Sequence, residues 1–120
     1  MVNNISAGRV AAALGLLAVG LGAFGAHGLK DVLARNETAA IWQTAVLYHF
    51  LHAIMLFVLA GRQPLASGPW FCFLVGILIF SGSLYLLAVT NVRWLGAITP
   101  FGGLSFLVGW AWLIVVPYRA

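Results

Sequence analysis

Two histidines and a tyrosine lie close together in a strongly apolar part of the sequence. Tyr48 and His52 are four residues apart, so they share one face if the segment is helical, and His49 lies beside them. An imidazole can bind a metal, carry a proton, or donate and accept hydrogen bonds. Each role requires partners, because a polar side chain in apolar surroundings is costly without one.

Two serines in a later apolar stretch, Ser81 and Ser83, are candidates for those partners. At about 1.5 Å of helical rise per residue, His49 and Ser81 fall at a similar depth. We expect these two residues to approach one another, and His52 to face protein rather than lipid. The same count places three glycines at this level: Gly22, Gly102 and Gly103. The predicted polar layer therefore comprises His49, His52, Tyr48, Ser81 and Ser83.

Three interpretations of this layer are open: internal hydrogen bonding, a cavity for a small polar group, and a metal or haem site. The metal site lacks ligands, since Cys72 lies at the opposite end of its stretch and His27 is about 10 Å shallower than His49. Recognisable catalytic and phosphate-binding motifs are also missing from the sequence. We therefore favour hydrogen bonding, and predict no catalytic residue, metal or cofactor.

Four long stretches without charged residues contain these positions. They cover residues 10–29, 38–61, 63–92 and 94–118. A helix needs about 20 apolar residues to cross a bilayer. Charged residues make up 7% of the chain, against about 25% in soluble domains. The sequence predicts one domain of the all-α membrane class, with four transmembrane helices in an antiparallel bundle at approximately 8–28, 39–61, 70–90 and 94–116.

The connections carry the charges and the turn residues. Segment 27–38 mixes aliphatic and charged residues, which predicts a short interfacial helix between helices 1 and 2. Asn36 or Thr38 is expected to cap the second span, and Trp42 and Trp70 are expected to anchor spans two and three at the membrane interface.

The fourth span contains an irregularity at Pro100. Proline either kinks a helix or occupies its first turn, with Thr99 as the cap in the second case. We favour the kink, and the alternative leaves residues 100–116 as the spanning part. Pro117 and Tyr118 are expected at the far interface.

Small residues recur along two of the spans at intervals of three and four. Such residues allow close approach of helices in lipid, where no hydrophobic force drives association. We interpret them as packing positions inside the bundle, with a homo-oligomer interface as the alternative. They are Gly8, Ala11, Gly15, Ala18, Gly22 and Gly25 on span one, and Gly102, Ser105 and Gly109 on span four.

The first stretch also resembles a secretory signal peptide, with Arg9 before it and small residues at its end. Its apolar run is longer than the usual core of about 7–15 residues, so we favour a span. Lysine and arginine number three on each side of the membrane, and the amino terminus adds one charge to its own side. We therefore predict cytoplasmic termini. The basic residues are scattered singly, so nucleic-acid binding is not expected.

Four segments together resemble a known family. They are GAFGAHGL (22–29), WQTAVLYHFLHA (42–53), FSGSLYLLAVT (80–90) and RWLGAITPFGG (93–103). The sequence resembles the family called domain of unknown function 423, which includes bacterial inner-membrane proteins and relatives of eukaryotic transmembrane protein 256. The resemblance implies a small multi-pass protein of the inner membrane with four helices, and implies no activity or catalytic residue.

We therefore expect a non-enzymatic membrane protein. It would be an accessory or structural partner in a membrane assembly, or a homo-oligomer, in contact with the lipid bilayer. The alternative is a small transporter or a ligand- or lipid-binding protein that uses the layer around His49 and His52. Aspartate and glutamate are missing from the four stretches, which argues against a proton-coupled carrier.

Overall fold

The structure, a computed structural model, describes residues 3–116. These residues form six α-helices and no strand. A π-helical segment at Ile77–Ser81 joins the fourth helix to the fifth, and a 3₁₀ helix at Arg93–Ala97 precedes the sixth. Pro117, Tyr118 and Arg119 lie outside the described residues. The helices are α1 (Asn4–Ala26), α2 (Lys30–Asn36), α3 (Ala39–Ala60), α4 (Ser67–Gly76), α5 (Gly82–Thr90) and α6 (Thr99–Val115).

Four helical stretches are long and apolar enough to cross a membrane. Span one is α1, span two is α3, span three is Ser67–Thr90, and span four is Arg93–Val115. The predicted all-α membrane fold is therefore confirmed, including the short helix α2 between the first two spans. Span one begins before predicted residue 8, because the side chain of Asn3 accepts a hydrogen bond from the Ser6 amide and caps the helix there. The membrane boundaries themselves stay a prediction.

The spans pack in chain order, each against the next. Span one packs along span two, span two along span three, and span three along span four, whereas spans one and four share no extensive packing within residues 3–116. The core lies between the two middle spans, around Trp70, Phe73 and Leu56, which are almost fully buried. The two outer spans consequently leave most of their surface uncovered by the rest of the bundle.

Span three changes its helical geometry at Ile77–Ser81, where the turn widens to a π-helix. Here span four crosses closely, because Gly102 faces the backbone of Phe80 without an intervening side chain. Further along the same seam, Gly109 packs under the ring of Phe73, and Ser105 Oγ donates a 2.7 Å hydrogen bond to the Cys72 carbonyl. Small side chains thus set the distance between spans three and four along the whole contact.

The α-helical part of span four begins at Thr99, with Pro100 in its first turn. The predicted kink is wrong. Proline has no amide hydrogen to donate, so it fits the first turn of a helix, where such hydrogens have no partner inside the helix. The Arg93–Ala97 segment, which a kinked α-helix would have included, is a 3₁₀ helix instead.

Polar side chains at the ends of the spans bind the terminal carbonyls of a neighbouring helix. Asn36 and Thr38 both donate to the Ala88 carbonyl at the end of α5, at 3.1 and 2.7 Å. Thr38 is the N-cap residue of α3, as predicted, but its side chain bonds to Ala88 and forms no capping hydrogen bond with α3. At the opposite end, Asn4 donates to the carbonyls of Ala60 and Arg62 at 2.7 Å each. These bonds satisfy carbonyls that a helix end leaves without an internal partner.

The two tryptophans predicted at the membrane interface are buried inside the protein, and their depth in the membrane stays a prediction. Trp70 is 1% exposed and Trp42 is 4% exposed. The Trp42 indole donates a 3.0 Å hydrogen bond to the Leu21 carbonyl of span one and packs against the Tyr85 ring of span three, with ring centroids 4.8 Å apart. Trp42 therefore links three spans through one side chain.

The small residues of span one do not all pack closely. A Cβ atom at Gly25 would overlap the Trp42 ring, and one at Gly22 would lie 3.3 Å from Val46 Cγ1. At Gly8 the nearest atom would be 3.9 Å away, and at Gly15 nothing lies within 4 Å. The structure thus differs from the predicted ridge at Gly15, which lies between the buried residues Ala11 and Ala18 but has no close contact of its own.

We expect Gly25→Ala to lower the stability of the protein by about 2 kcal/mol, since the added methyl group must displace the buried Trp42 ring. Thermal unfolding in a mild detergent would measure the change. Gly20→Ala is the matched control on the same helix, because nothing lies within 4 Å of a Cβ atom there. Equal melting temperatures for the two variants would contradict the close contact between Gly25 and Trp42.

Candidate functional site

His49 lies in the interior, between spans one, two and three. It is 1% exposed, and its Nδ1 atom forms a 2.8 Å hydrogen bond with the hydroxyl of Tyr85. The Leu14 carbonyl of span one approaches the ring, but Nε2 forms no hydrogen bond of good geometry with the described residues. Ser81 is not its partner, because Ser81 Oγ donates to the Ala45 carbonyl at 2.8 Å, one helical turn away.

His52 belongs to a different network, which faces span four. Its Nδ1 atom donates to the Tyr48 carbonyl at 2.7 Å, and its Nε2 atom accepts from the Trp110 indole at 3.0 Å. Because a carbonyl can only accept and an indole N–H can only donate, these two bonds fix His52 as a neutral ring with the proton on Nδ1. The ring also stacks on Phe106, with centroids 3.7 Å apart. His52 could bind a metal only by giving up one of these bonds.

Ser83 forms a third polar contact. Its hydroxyl lies 2.6 Å from the hydroxyl of Thr99 and donates to the Phe80 carbonyl at 3.0 Å. This contact ties the start of α6 to span three, next to the π-helical segment.

Four of the five side chains in the predicted layer therefore bond to different partners, and Tyr48 contributes its backbone carbonyl to His52. His49 is joined to Tyr85, Ser81 to a backbone carbonyl, Ser83 to Thr99 and His52 to Trp110. Hydrogen bonds between the two histidines, or from either to a serine, do not occur in the described part of the chain. A common functional role for these residues stays a prediction.

Sequence reasoning missed the partner Trp110, although a usable signal was present. An indole N–H within a span has no water to bind, so it needs an acceptor from the protein. His52 is such an acceptor. Its depth along span two can be estimated from the helical rise per residue. Thr99 could have been found as the partner of Ser83 by the same reasoning.

Within residues 3–116, no cluster of three or more His, Cys, Asp or Glu side chains could hold a metal ion. Among the residues of the predicted layer, Tyr48 is the one whose side chain forms no hydrogen bond with any described residue. It lies beside a cleft of about 450 Å³ between spans two and four. A second groove of about 350 Å³ lies between spans one and two and is lined almost entirely by apolar side chains.

Together the fold and these contacts define a small multi-pass membrane bundle in which polar side chains within the spans bond to one another or to backbone carbonyls of neighbouring helices. The comparisons agree with this class. The family model described as "Protein of unknown function (DUF423)" matches residues 21–103, and the chain belongs to this family.

Several relatives carry names that place them in membranes. The chain is 45% identical over 111 residues to UPF0382 membrane protein YwdK of Bacillus subtilis, covering 87% of this chain and 89% of the relative. It is 41% identical over 114 residues to UPF0382 inner membrane protein YgdD of Escherichia coli, covering 91% and 86%. No solved structure matches the chain significantly. The protein is thus a multi-pass membrane protein, in a family without an established activity.

Proposed function

We propose that this protein has no enzymatic activity and acts as a structural or accessory component of a membrane assembly. The hydrogen bonding of His52 carries the proposal. Both of its ring nitrogens are used inside the protein, and the serines at similar depth are likewise bonded to the neighbouring helices. Side chains held in this way join helices and are not available to a substrate.

The open arrangement of the spans supports an accessory role. Spans one and four lie at the two ends of the row and expose long apolar side chains, such as Leu16 and Ile114 at 77% and 85%. Such surfaces face either lipid or another membrane protein. An assembly with a partner, or with a second copy, would cover surfaces that the single bundle leaves open.

The alternative, a transporter that uses His49 and His52, has less support. The two histidines belong to separate networks, and His49 lies in the packed interior rather than beside a cleft. Ion-coupled transport also relies on ionisable groups within the membrane, and the four spans contain no carboxylate at their centres.

Affinity purification from native membranes at low detergent would test the proposal. We expect either a stoichiometric second protein or a defined homo-oligomer. Gly20→Leu, on the exposed side of span one, should reduce that association while leaving the melting temperature in detergent unchanged. Substrate flux into liposomes containing the purified protein alone, lost in His52→Phe, would overturn the proposal in favour of a transporter.

A further inference from the structure

The cleft between spans two and four lies near the middle of these spans along their length. Tyr48 is nine residues from the start of α3, or about 14 Å along the helix axis. Phe80 and Phe106, which also line the cleft, are similarly central in spans three and four. Headgroups and bulk water lie outside the hydrocarbon core, which is about 30 Å thick. Anything in this cleft must therefore be soluble in the hydrocarbon.

The hydroxyl of Tyr48 has an unmet need for an acceptor. The residue's ring is held by aromatic contacts, with the Phe80 centroid 4.8 Å away, but Tyr48 Oη forms no hydrogen bond with the described residues. A hydroxyl without a partner is costly in hydrocarbon, where water cannot replace the missing acceptor. The neighbouring His52 cannot supply one, since its acceptor nitrogen is already bound to Trp110.

The walls of the cleft are mainly aromatic, and none of the side chains that line it is charged. Apart from Tyr48, the aromatic side chains are His52, Phe80, Phe106 and Trp110. Gly103 leaves room on the side of α6, where a Cβ atom would make only an ordinary contact, 3.7 Å from the Phe80 ring. Binding sites for small molecules commonly have this character: apolar and aromatic walls, a few polar groups, and a volume of about 300–1,000 Å³.

We propose that this cleft binds a lipid-soluble molecule of the quinone class. A planar conjugated ring stacks against the aromatic walls, and a carbonyl oxygen of the ring accepts the hydrogen bond that Tyr48 Oη offers. The apolar tail lies along the open side of the cleft toward lipid, past Leu104 and Leu107. Binding is reversible and needs no chemical step, so the inference is independent of the structural role proposed above.

A saturated acyl chain fits the observations less well. It would fill the space, but it has neither an acceptor for the hydroxyl nor a flat face for the aromatic rings. A helix of a second copy is the other candidate occupant, and it would place its own backbone or side-chain oxygen beside Tyr48. The two occupants predict different results in the experiment below.

The test is quenching of tryptophan fluorescence by a decyl-substituted benzoquinone, titrated into the purified protein in detergent. Because Trp110 lines the cleft, we expect a saturable component of quenching. Tyr48→Phe should weaken the apparent affinity about fivefold to tenfold through loss of one hydrogen bond. Tyr85→Phe is the matched control, since it removes the same hydroxyl outside the cleft. Decanol, which has the tail but no ring, should not compete.

A second variant distinguishes a filled cleft from a lost hydrogen bond. Gly103→Leu should abolish the saturable quenching, whereas Gly82→Leu, where a Cβ atom has open space, should retain it. Circular dichroism and thermal unfolding would establish that each variant is folded. Quenching that does not saturate, or that is equal in wild type, Tyr48→Phe and Gly103→Leu, would overturn the proposal. A change of oligomeric state in Tyr48→Phe with unchanged quenching would overturn it in favour of a second copy.

Discussion

Gly102→Ala is expected to destabilise the protein by about 3 kcal/mol, at the upper end of the range for overpacking substitutions. The added Cβ atom would overlap the backbone nitrogen of Phe80 and lie 2.7 Å from its Cα atom. A backbone cannot rotate aside as a flexible side chain can, so spans three and four must separate. Chemical or thermal unfolding in detergent would measure the effect.

Gly103→Ala is the control for this prediction. The two glycines are adjacent on α6, and both substitutions add one methyl group, but at Gly103 the nearest atom is the Phe80 ring at 3.7 Å. We expect Gly103→Ala to cause no loss of stability and to raise it by up to about 1 kcal/mol, because alanine favours the helix over glycine. If the two variants had the same stability, spans three and four would not be as close at the π-helical segment as the structure shows.

His52→Ala is expected to cost about 3 kcal/mol, an effect similar to that of Gly102→Ala. It leaves a cavity against the stacked Phe106 ring and deprives the Trp110 indole N–H of its acceptor. His52→Phe keeps an aromatic ring and loses only the hydrogen bonds, which in membranes are worth about 1 kcal/mol. Unfolding in detergent should therefore rank wild type above His52→Phe and His52→Phe above His52→Ala.

His27→Ala provides the reference, because His27 is exposed at the end of α1 and should be replaced without loss. An equal loss of stability in His52→Phe and His52→Ala would mean that packing contributes nothing beyond the hydrogen bonds. No loss in either would show that the network between spans two and four does not hold the protein together.

Much of the fold could be predicted because membrane insertion is decided by local composition. A stretch without charges that is long enough to cross the bilayer becomes a span wherever it occurs, so the four spans and the short helix before α3 followed from the sequence. Which span packs against which is a different question. It depends on contacts between residues that are distant in sequence. Regularly spaced small residues show that a helix can pack closely, but they do not identify the helix that packs against it.

Gly15 and Gly25 illustrate this limit. Both fit the same ridge of small residues on span one, yet Gly25 lies against the Trp42 ring and Gly15 has no close neighbour. Trp42 was assigned to the membrane interface because tryptophan is enriched there. Its indole instead found an acceptor in the Leu21 carbonyl, which becomes available only when spans one and two are packed together.

The polar residues also combine a property that the local sequence determines, their depth, with one that it does not, their hydrogen-bond partners. Depth along a helix follows from the rise per residue, so the level of His49, His52 and Ser81 could be estimated from the sequence. Which partners a side chain meets depends on the direction in which it points around the helix axis. Side chains at similar depth can point in different directions. His49 turns toward Tyr85, and His52 turns toward Trp110 on another span.

The π-helical segment has a consequence for changes in chain length. A π-bulge holds one residue more than an α-helix needs at that point. Deleting Leu78, which is 61% exposed to lipid, would convert the bulge to regular α-helix and leave α4 and α5 facing their present neighbours. A deletion within α4 would instead rotate the rest of the span by about 100°. Ile77–Ser81 is therefore a point at which insertions and deletions of a single residue can be accepted during evolution.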